Sequence, residues 1–590
     1  MFSDVVSTSL SESAVETIIF VLRNKVGGDP FEVFWEHPKV VYEELRKIFG
    51  DGTDVLINLW VKAFKQKAES NVDPEKFIRS LQRGDLESVK EVRRMLMELV
   101  TAYHEARGKG REEGGSFMDK RLPSGIDGLD ALIDGGFPKG STILVCGGPG
   151  TGKTVFSAQF LYKGAKNLGE SGVYASFGEK REAFMSYMKP FKFDFEELEA
   201  DGKFAFLDMI TGRKGIHPDS IKMILEKISD LNAERLVIDP ITAISQAYGE
   251  VIDVRALMHT VLGKVIRETG CTTLLVSESP MGKESIGLGI EEFVSDGVIL
   301  LKRRVYSERL LREMEIVKLR GTRISHPTLT FTLDGGFHVF PPQPTFAPDY
   351  GKYEIVPHGE DRYSTGVRDL DKLVGETFVR GGFNLIEVDI DVSFPLKCII
   401  APTVCNFLNQ DHGVAVIPPQ GLSAKTCKSI IEPHVDESII NRKLRIVDFR
   451  VAGETLKVPP YVLPLKGAFI AEDMTRFWDA VTELRECSKK PVLTVVGYDT
   501  LEYIYGKRET LKILGEDIAR TKNFEDLRVN IANPAMETID HLRALAHIHL
   551  KICQANGAIL LYGVKPKTQI HNIEVKVKDN VRKIKLKPIV

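Results

Sequence analysis

The sequence predicts two α/β domains in tandem behind a small all-helical domain. Three observations predict it: an amino-terminal stretch with apolar residues at three- and four-residue intervals, two long blocks in which short Val/Ile/Leu-rich runs alternate with helical stretches, and a motif that recurs in both blocks. At 590 residues the chain exceeds what one hydrophobic core supports, so several domains are expected.

The helical period runs from about Ser11 to His104, as in SAVETIIFVLRNKV (Ser13–Val26) and SVKEVRRMLMELVTAY (Ser88–Tyr103), and predicts a helical domain over 1–110. HEARGKGREEGGSF (His104–Phe117) is rich in Gly and charge and reads as a linker. PPQPTFAPDYGKY (Pro341–Tyr353) is a second break, because its prolines deny both helix and central strand. These breaks bound α/β blocks at 117–345 and 353–590. In the first block TILVC, VYASF, FAFLD, RLVID and TTLLVS are separated by helical stretches, and runs without polar alternation suit parallel strands buried on both faces.

Composition narrows the partners. The net charge of −3 gives the whole molecule no cationic field of the kind that drives non-specific nucleic-acid binding. Seven scattered Cys (146, 271, 398, 405, 427, 487, 553), with no CxxC spacing, read as buried free thiols. No apolar run approaches the ~18 residues that span a bilayer, and no basic region followed by an apolar one opens the chain, so a cytoplasmic location is the expectation.

The blocks read as diverged copies of one unit. SGIDGLDALIDGGFPKG (Ser124–Gly140) aligns with TGVRDLDKLVGETFVRG (Thr365–Gly381), matching Gly125 to Gly366, Asp130 to Asp371 and Gly140 to Gly381 at one offset, 366 − 125 = 381 − 140 = 241. RLVIDPITAISQAYG resembles TVVGYDTLEYIYG, and GCTTLLVS resembles GAILLYG.

GGPGTGKT (Gly147–Thr154) fits G-x-x-x-x-G-K-[ST], follows a strand and opens a helix. The backbone N–H groups of Gly148, Pro149's neighbours, Gly150, Thr151 and Gly152 turn toward phosphates, Lys153 reaches the β/γ oxygens, and the Thr154 hydroxyl ligates Mg²⁺. ATP and Mg²⁺ are the expected cofactors. A magnesium site also needs a carboxylate at a neighbouring strand end, which RLVIDP supplies as Asp239.

With these residues in hand the block resembles the KaiC-like branch of the RecA-type ATPases, through SGIDGLDALIDGGFPKGSTILVCGGPGTGKTVFSAQFL, GIEEFVSDGVILL (Gly289–Leu301) and EIVKLRGT (Glu315–Thr322). The resemblance implies a RecA-like P-loop NTPase core in tandem and a homo-hexameric ring with ATP at subunit interfaces. It also implies that Lys318 and Arg320 reach the γ-phosphate of a neighbour's nucleotide; the alternative is an exposed strand of alternating charge. KaiC-like domains usually carry two adjacent Glu after the second strand, one of which orients the attacking water. Here the matching positions are Gly178 and Glu179, which implies slow hydrolysis through Glu179, with Glu182 or Glu278 as remote stand-ins.

Where the second block should repeat the loop it reads LIEVDIDVSFPLKC (Leu385–Cys398). No glycine remains between Glu387 and Lys397, Asp389 and Asp391 repel phosphates, and Pro395 lacks a donor N–H. Asp499 survives at the magnesium-carboxylate position, and KIKLKP (Lys583–Pro588) echoes VKLRGT. The block reads as a degenerate pseudo-ATPase.

Three functions compete: a nucleotide-gated regulatory or scaffold ATPase acting on an unidentified protein partner, a RecA-type recombination or repair ATPase, and a KaiC-like autokinase. Against the second, ESPMGKESIGLGI after Ser277 has one Lys and no aromatic, a poor match to single-strand-binding grooves. Against the third, the second block has lost its nucleotide loop.

Overall fold

The computed structural model describes residues 30–49, 53–54, 57–58, 61, 72–109, 121–209, 219–241, 269–278, 295–342, 351–360, 362–375, 378–389, 392, 399–449 and 458–590. The chain divides into two compact units, 1–303 with 312–339 and 304–311 with 340–590. The linker centres 110–120 and 343–350, the stretch Ser13–Val26, Cys398 and the loop after Glu278 lie outside the described residues.

The amino-terminal stretch is helical where described: α1 (Pro30–Glu36), α2 (Pro38–Phe49), α3 (Pro74–Arg83) and α4 (Leu86–Lys109). α3 shows how the local sequence sets its bounds. The Asp73 carboxylate accepts from Glu75 N, Pro74 takes the first turn, where its missing N–H costs nothing, and Gly84 closes the helix at φ 67°. Val41, Leu45, Phe77, Leu81, Val92 and Leu99 are buried, each side chain contributing about 1.5–3 kcal/mol. α4 continues to Lys109, five residues past the expected end of the helical period: Glu105, Ala106 and Arg107 are good helix formers, and Gly108 stands only at its last turn.

The rest of the first unit is built on a nine-stranded sheet. In chain order its strands are β1 (Thr142–Gly147), β2 (Gly172–Ser176), β3 (Phe204–Asp208), β4 (Arg235–Asp239), β5 (Thr272–Glu278), β6 (Gly297–Tyr306), β7 (Arg309–Leu319), β8 (Thr328–Thr332) and β9 (His338–Phe340). Their order across the sheet is β9-β8-β7-β6-β1-β5-β4-β2-β3. β1 pairs in parallel with both β5 and β6. Leu144, Cys146, Val173, Ala175 and Leu236 are buried on one face, and Ile143, Val145, Tyr174, Val237 and Leu274 on the other. That two-sided burial is why these strands read as unbroken apolar runs. The helix α5 (Lys153–Lys163) follows β1 across the P-loop.

The second unit repeats the plan. Its strands are β10 (Lys352–Tyr353), β11 (Phe383–Val388), β12 (Val414–Ile417), β13 (Leu444–Phe449), β14 (Val462–Leu465), β15 (Leu493–Gly497), β16 (Leu527–Ala532), β17 (Ile548–Ala555), β18 (Ala558–Lys565), β19 (His571–Lys578) and β20 (Val581–Pro588). The sheet order is β10-β20-β19-β18-β17-β11-β16-β15-β12-β13-β14. Setting aside the edge strands β10 and β14, this is the order of the first sheet with β11 in the place of β1. The offset of 241 holds in detail: 383 − 142 = 388 − 147 = 241. Each block carries a short antiparallel pair, Arg121–Leu122 with Phe137–Pro138 and Arg362–Tyr363 with Phe378–Val379. In the first copy Asp130 accepts from Ser124 N and Oγ, and in the second Asp371 accepts from Thr365 N and Oγ1.

The shared strand order corrects two sequence alignments. GAILLYG falls on β18, the counterpart of β7, whereas the counterpart of GCTTLLVS is β16 (LRVNIA). KIKLKP falls on β20, the counterpart of β9, so it is not the second block's version of VKLRGT. In both cases an apolar or basic run matched in composition while hydrogen-bond partners assign it elsewhere. A further correction concerns the thiols: Cys146, Cys271, Cys405, Cys427 and Cys553 are buried, but Cys487 is exposed on the helix Ile470–Ser488. Among the described residues no helix is long and apolar enough to cross a membrane.

Candidate active site

β1 ends at Gly147 and α5 begins at Lys153, so the loop Gly148–Gly152 lies at the carboxyl edge of the sheet, where parallel sheets take ligands. Gly152 sits at φ 102°, a conformation that would strain any side chain, and an added Cβ would also meet Leu333. Thr151 Oγ1 donates to Gly148 O at 2.9 Å and braces the loop. Lys153 Nζ folds back onto it, donating to Gly147 O and Gly148 O, each at 2.9 Å. Burial lowers the Lys153 pKa, opposed by the charges of Glu278 and Asp239. Among the described residues the hydrogen bonds of this cation go to neutral carbonyls, which an anionic group such as a triphosphate can displace.

Beside it stands the magnesium-type pair. Thr154 Oγ1 donates to Asp239 Oδ2 at 3.3 Å, and the buried Tyr174 hydroxyl donates to the same oxygen at 2.5 Å. Burial pushes the Asp239 carboxyl up, against the hydrogen bonds from Tyr174 and Thr154 and the Lys153 charge. A hydroxyl and a carboxylate at this separation fit a hard divalent cation. Tyr174 escaped sequence reasoning because it lies mid-strand, where an aromatic residue reads only as core.

Glu179 is pinned close by. Ser176 Oγ accepts from Glu179 N at 3.0 Å and donates to Glu179 O at 2.8 Å, while Phe177 N donates to Asp239 O at 2.8 Å. The half-buried Glu179 carboxyl is raised by burial and then by the charge of Asp239. Gly178 is exposed, and a Cβ there meets only Pro240 Cδ, at 3.3 Å. Gly178→Glu should therefore fold and raise turnover, by up to about 10²-fold if a water-orienting acceptor is what limits the rate. Turnover should also fall with pH through a pKa above the ordinary glutamate range, and Glu179→Gln should abolish that limb. Unchanged turnover and pH profile in Glu179→Gln would remove Glu179 from the reaction. Of the two stand-ins, Glu278 pairs in register with Gly147 and acts electrostatically on Lys153 and Asp239, whereas Glu182 is exposed in the first turn of the helix Arg181–Met188.

Two arginines reach the P-loop from β6 and β7. The buried Arg312 donates Nη1 to Gly150 O at 3.0 Å, and Arg303 Nη1 lies 3.3 Å from where a Gly150 Cβ would stand. Neither was legible in sequence, since strand pairing alone brings them to the loop. Lys318 and Arg320 are not brought there. Lys318 Nζ donates to Ser295 O at 2.7 Å, Arg320 N donates to Asp296 O at 2.9 Å, and Asp296 N donates to Thr142 O at 2.8 Å. Both therefore stand level with the amino end of β1, about 17 Å along the strand from the P-loop at ~3.3 Å per residue.

In the second unit Val388 takes the place of Gly147, Asp389 follows it, and Asp391 and Lys397 lie outside the described residues. Asp499 lies in the first turn of a helix rather than on a strand end; its Oδ2 accepts from Gln420 N and its Oδ1 from Thr500 N. Glu387, in the place of Cys146, is fully buried, ion-paired to Arg543 and Lys551 and hydrogen-bonded to His549.

Residues 122–343 match the family model described as ATPase: KaiC, and residues 352–449 match the model described as GvpD basic region 2, although in this chain that stretch holds more Asp and Glu than Lys and Arg. The chain is 31% identical over 274 residues to the circadian clock oscillator protein KaiC of Thermostichus vulcanus, covering 44% of this chain and 50% of that protein. It is 32% identical over 269 residues to KaiC of Synechococcus elongatus, covering 43% and 49%. The chain thus spans about half the length of the curated relatives it matches. Among solved structures, a KaiC-like protein from Pyrococcus horikoshii OT3 is 39% identical, covering 38% of this chain and 99% of that one, with a TM-score of 0.35.

Proposed function

Because residues 122–343 carry a KaiC-like P-loop ATPase domain, we propose that the chain binds ATP with Mg²⁺ at Gly148–Thr154 and Asp239, hydrolyses it slowly, and works as a nucleotide-gated regulatory or scaffold oligomer. The observation that carries this reading is the convergence of Lys153, Thr154, Asp239 and Glu179 at the carboxyl ends of β1, β2 and β4.

Lys153 exchanges its two loop carbonyls for anionic phosphate oxygens. Thr154 and Asp239 hold the metal, which when bound neutralises charge on the phosphates. Tyr174 fixes the Asp239 carboxylate from below. Glu179 orients the attacking water alone, since Gly178 offers no second carboxylate, and slow turnover suits a switch better than a motor. Lys318 and Arg320 lie too far from the P-loop of their own chain, which favours a ring in which each copy completes the next copy's site. The second unit contributes assembly or partner contacts.

Calorimetry tests the central assignment. One ATP should bind per chain, and Lys153→Ala should abolish it. Two sites per chain, or binding that survives Lys153→Ala, would overturn it.

A further inference from the structure

The second unit has lost phosphate chemistry but has kept a cavity. A space of about 390 Å³ opens at the carboxyl ends of β11, β12, β15 and β16, the edge at which the first unit carries its P-loop. That volume lies within the roughly 300–1,000 Å³ of small-ligand sites, and the carboxyl edge of a parallel sheet is where such ligands sit. Val388, in the place of Gly147, is part of its wall. In the first unit a Cβ at Gly147 would meet Leu301 O and Thr151 Oγ1, each at 2.6 Å, so a side chain at this position is incompatible with the phosphate loop as it is packed there.

The chemistry of the wall is the reverse of a nucleotide site. Ile386, Val388, Ile400 and Ile531 give it an aliphatic surface. Among the described residues its ionisable groups are Asp389 and Asp499, with no Lys, Arg or His. Asp499 accepts one backbone hydrogen bond on each oxygen, from Gln420 N at 3.1 Å and Thr500 N at 2.9 Å, which leaves each oxygen further acceptor capacity. Burial pushes its carboxyl above the usual range, and no described cation offsets that burial. A desolvated carboxyl with no counter-ion among the described residues repels a phosphate and gains from a cation brought beside it.

We propose that this cavity binds a small organic cation, with an ammonium head on Asp499 and an apolar body against Ile386, Val388, Ile400 and Ile531. The former nucleotide site of the second unit thereby becomes a receptor for a ligand of opposite charge. The site is separate from the P-loop of the first unit, and the proposal stands whether or not that loop hydrolyses ATP.

Three probes that share a phenyl body and differ in head charge test it on the full chain by calorimetry and ligand-observed NMR: benzylamine, benzyl alcohol and benzoate. Benzylamine should bind about tenfold or more tighter than benzyl alcohol, because its hydrogen bond to the carboxylate is charge-assisted, and benzoate should not bind. Asp499→Asn should erase the preference for the amine, with retained ATP binding reporting an intact first unit and, once Trp35 and Trp60 are replaced by Phe, an unchanged Trp478 fluorescence an intact second one. Absence of saturable amine binding, benzoate binding as tight as benzylamine, or an amine preference that survives Asp499→Asn would each overturn the proposal. The charge series on the unmutated chain decides the matter even if Asp499→Asn fails to fold.

Discussion

Arg320→Ala chains should bind ATP as the parent does and hydrolyse it ~10³–10⁵-fold more slowly, the range over which an arginine delivered in trans accelerates other NTPases. The P-loop supplies positive charge on one side of the triphosphate, and charge developing on the γ-phosphoryl needs donors from the other. Within its own chain Arg320 stands level with the far end of β1, paired with Asp296 at 3.4 Å and 51% exposed. Its partner Asp296 is buried and keeps a hydrogen bond from Thr142 N, so the fold of Arg320→Ala is checked by denaturation alongside its rate. Lys318→Ala should behave similarly or weaken assembly. Mixing supplies the decisive measurement: Arg320→Ala and Lys153→Ala chains, each inactive alone, should recover activity in mixed rings where an intact P-loop meets an intact arginine. No recovery in verified mixed assemblies would sink the shared-site reading.

Glu387→Ala should destabilise the second unit by about 3–5 kcal/mol, the usual consequence of deleting one partner of a buried ion cluster. The Glu387 side chain has no exposure, and its carboxylate receives Arg543 at 2.7 and 3.0 Å, His549 at 3.0 Å and Lys551 at 2.8 Å. Burial alone would raise its pKa, but the hydrogen bonds from His549, Arg543 and Lys551 prevail and hold it well below the usual range. Because the folded value is depressed, the stabilisation is fully present above the unfolded value of about 4.3 and is lost only as pH falls through the lower folded one. The gap between parent and variant should therefore persist at neutral pH and close in strong acid. Denaturation read through Trp478, with Trp35 and Trp60 replaced by Phe, isolates the second unit; a change under about 1 kcal/mol would show that the cluster is not what holds it.

What was legible in the sequence was what is contiguous. The strands announced themselves because both faces of each sheet are buried, and the P-loop because Gly147–Thr154 is one unbroken motif. The repeat was legible as far as Val388, where the offset of 241 still holds, and beyond it in RLVID and TVVG, which fall on the counterparts β4 and β15; GAILLYG was misread, since it matches GCTTLLVS in composition and only its hydrogen-bond partners place it on β18. Contacts that depend on register were invisible: Glu278 beside Gly147, Arg312 on Gly150 and Tyr174 under Asp239 are each more than 60 residues from their partners in sequence. Cys487 was misassigned because burial on a long helix depends on which side meets the sheet, and a lone residue does not reveal that.

Two sheets of the same strand order in one chain pose a problem during folding, because every central strand has a topological double that it can join in error. Glu387 bears on that hazard. If Phe383–Val388 strayed into the slot of Thr142–Gly147, the Glu387 carboxylate would be carried into the apolar surroundings of Cys146, away from Arg543, His549 and Lys551. Burying a charge without its partners costs far more than a mismatch of methyl groups. The misjoined state is therefore penalised at the strand around which each sheet is built, and a charge in the wrong place becomes the label by which the chain tells its two halves apart.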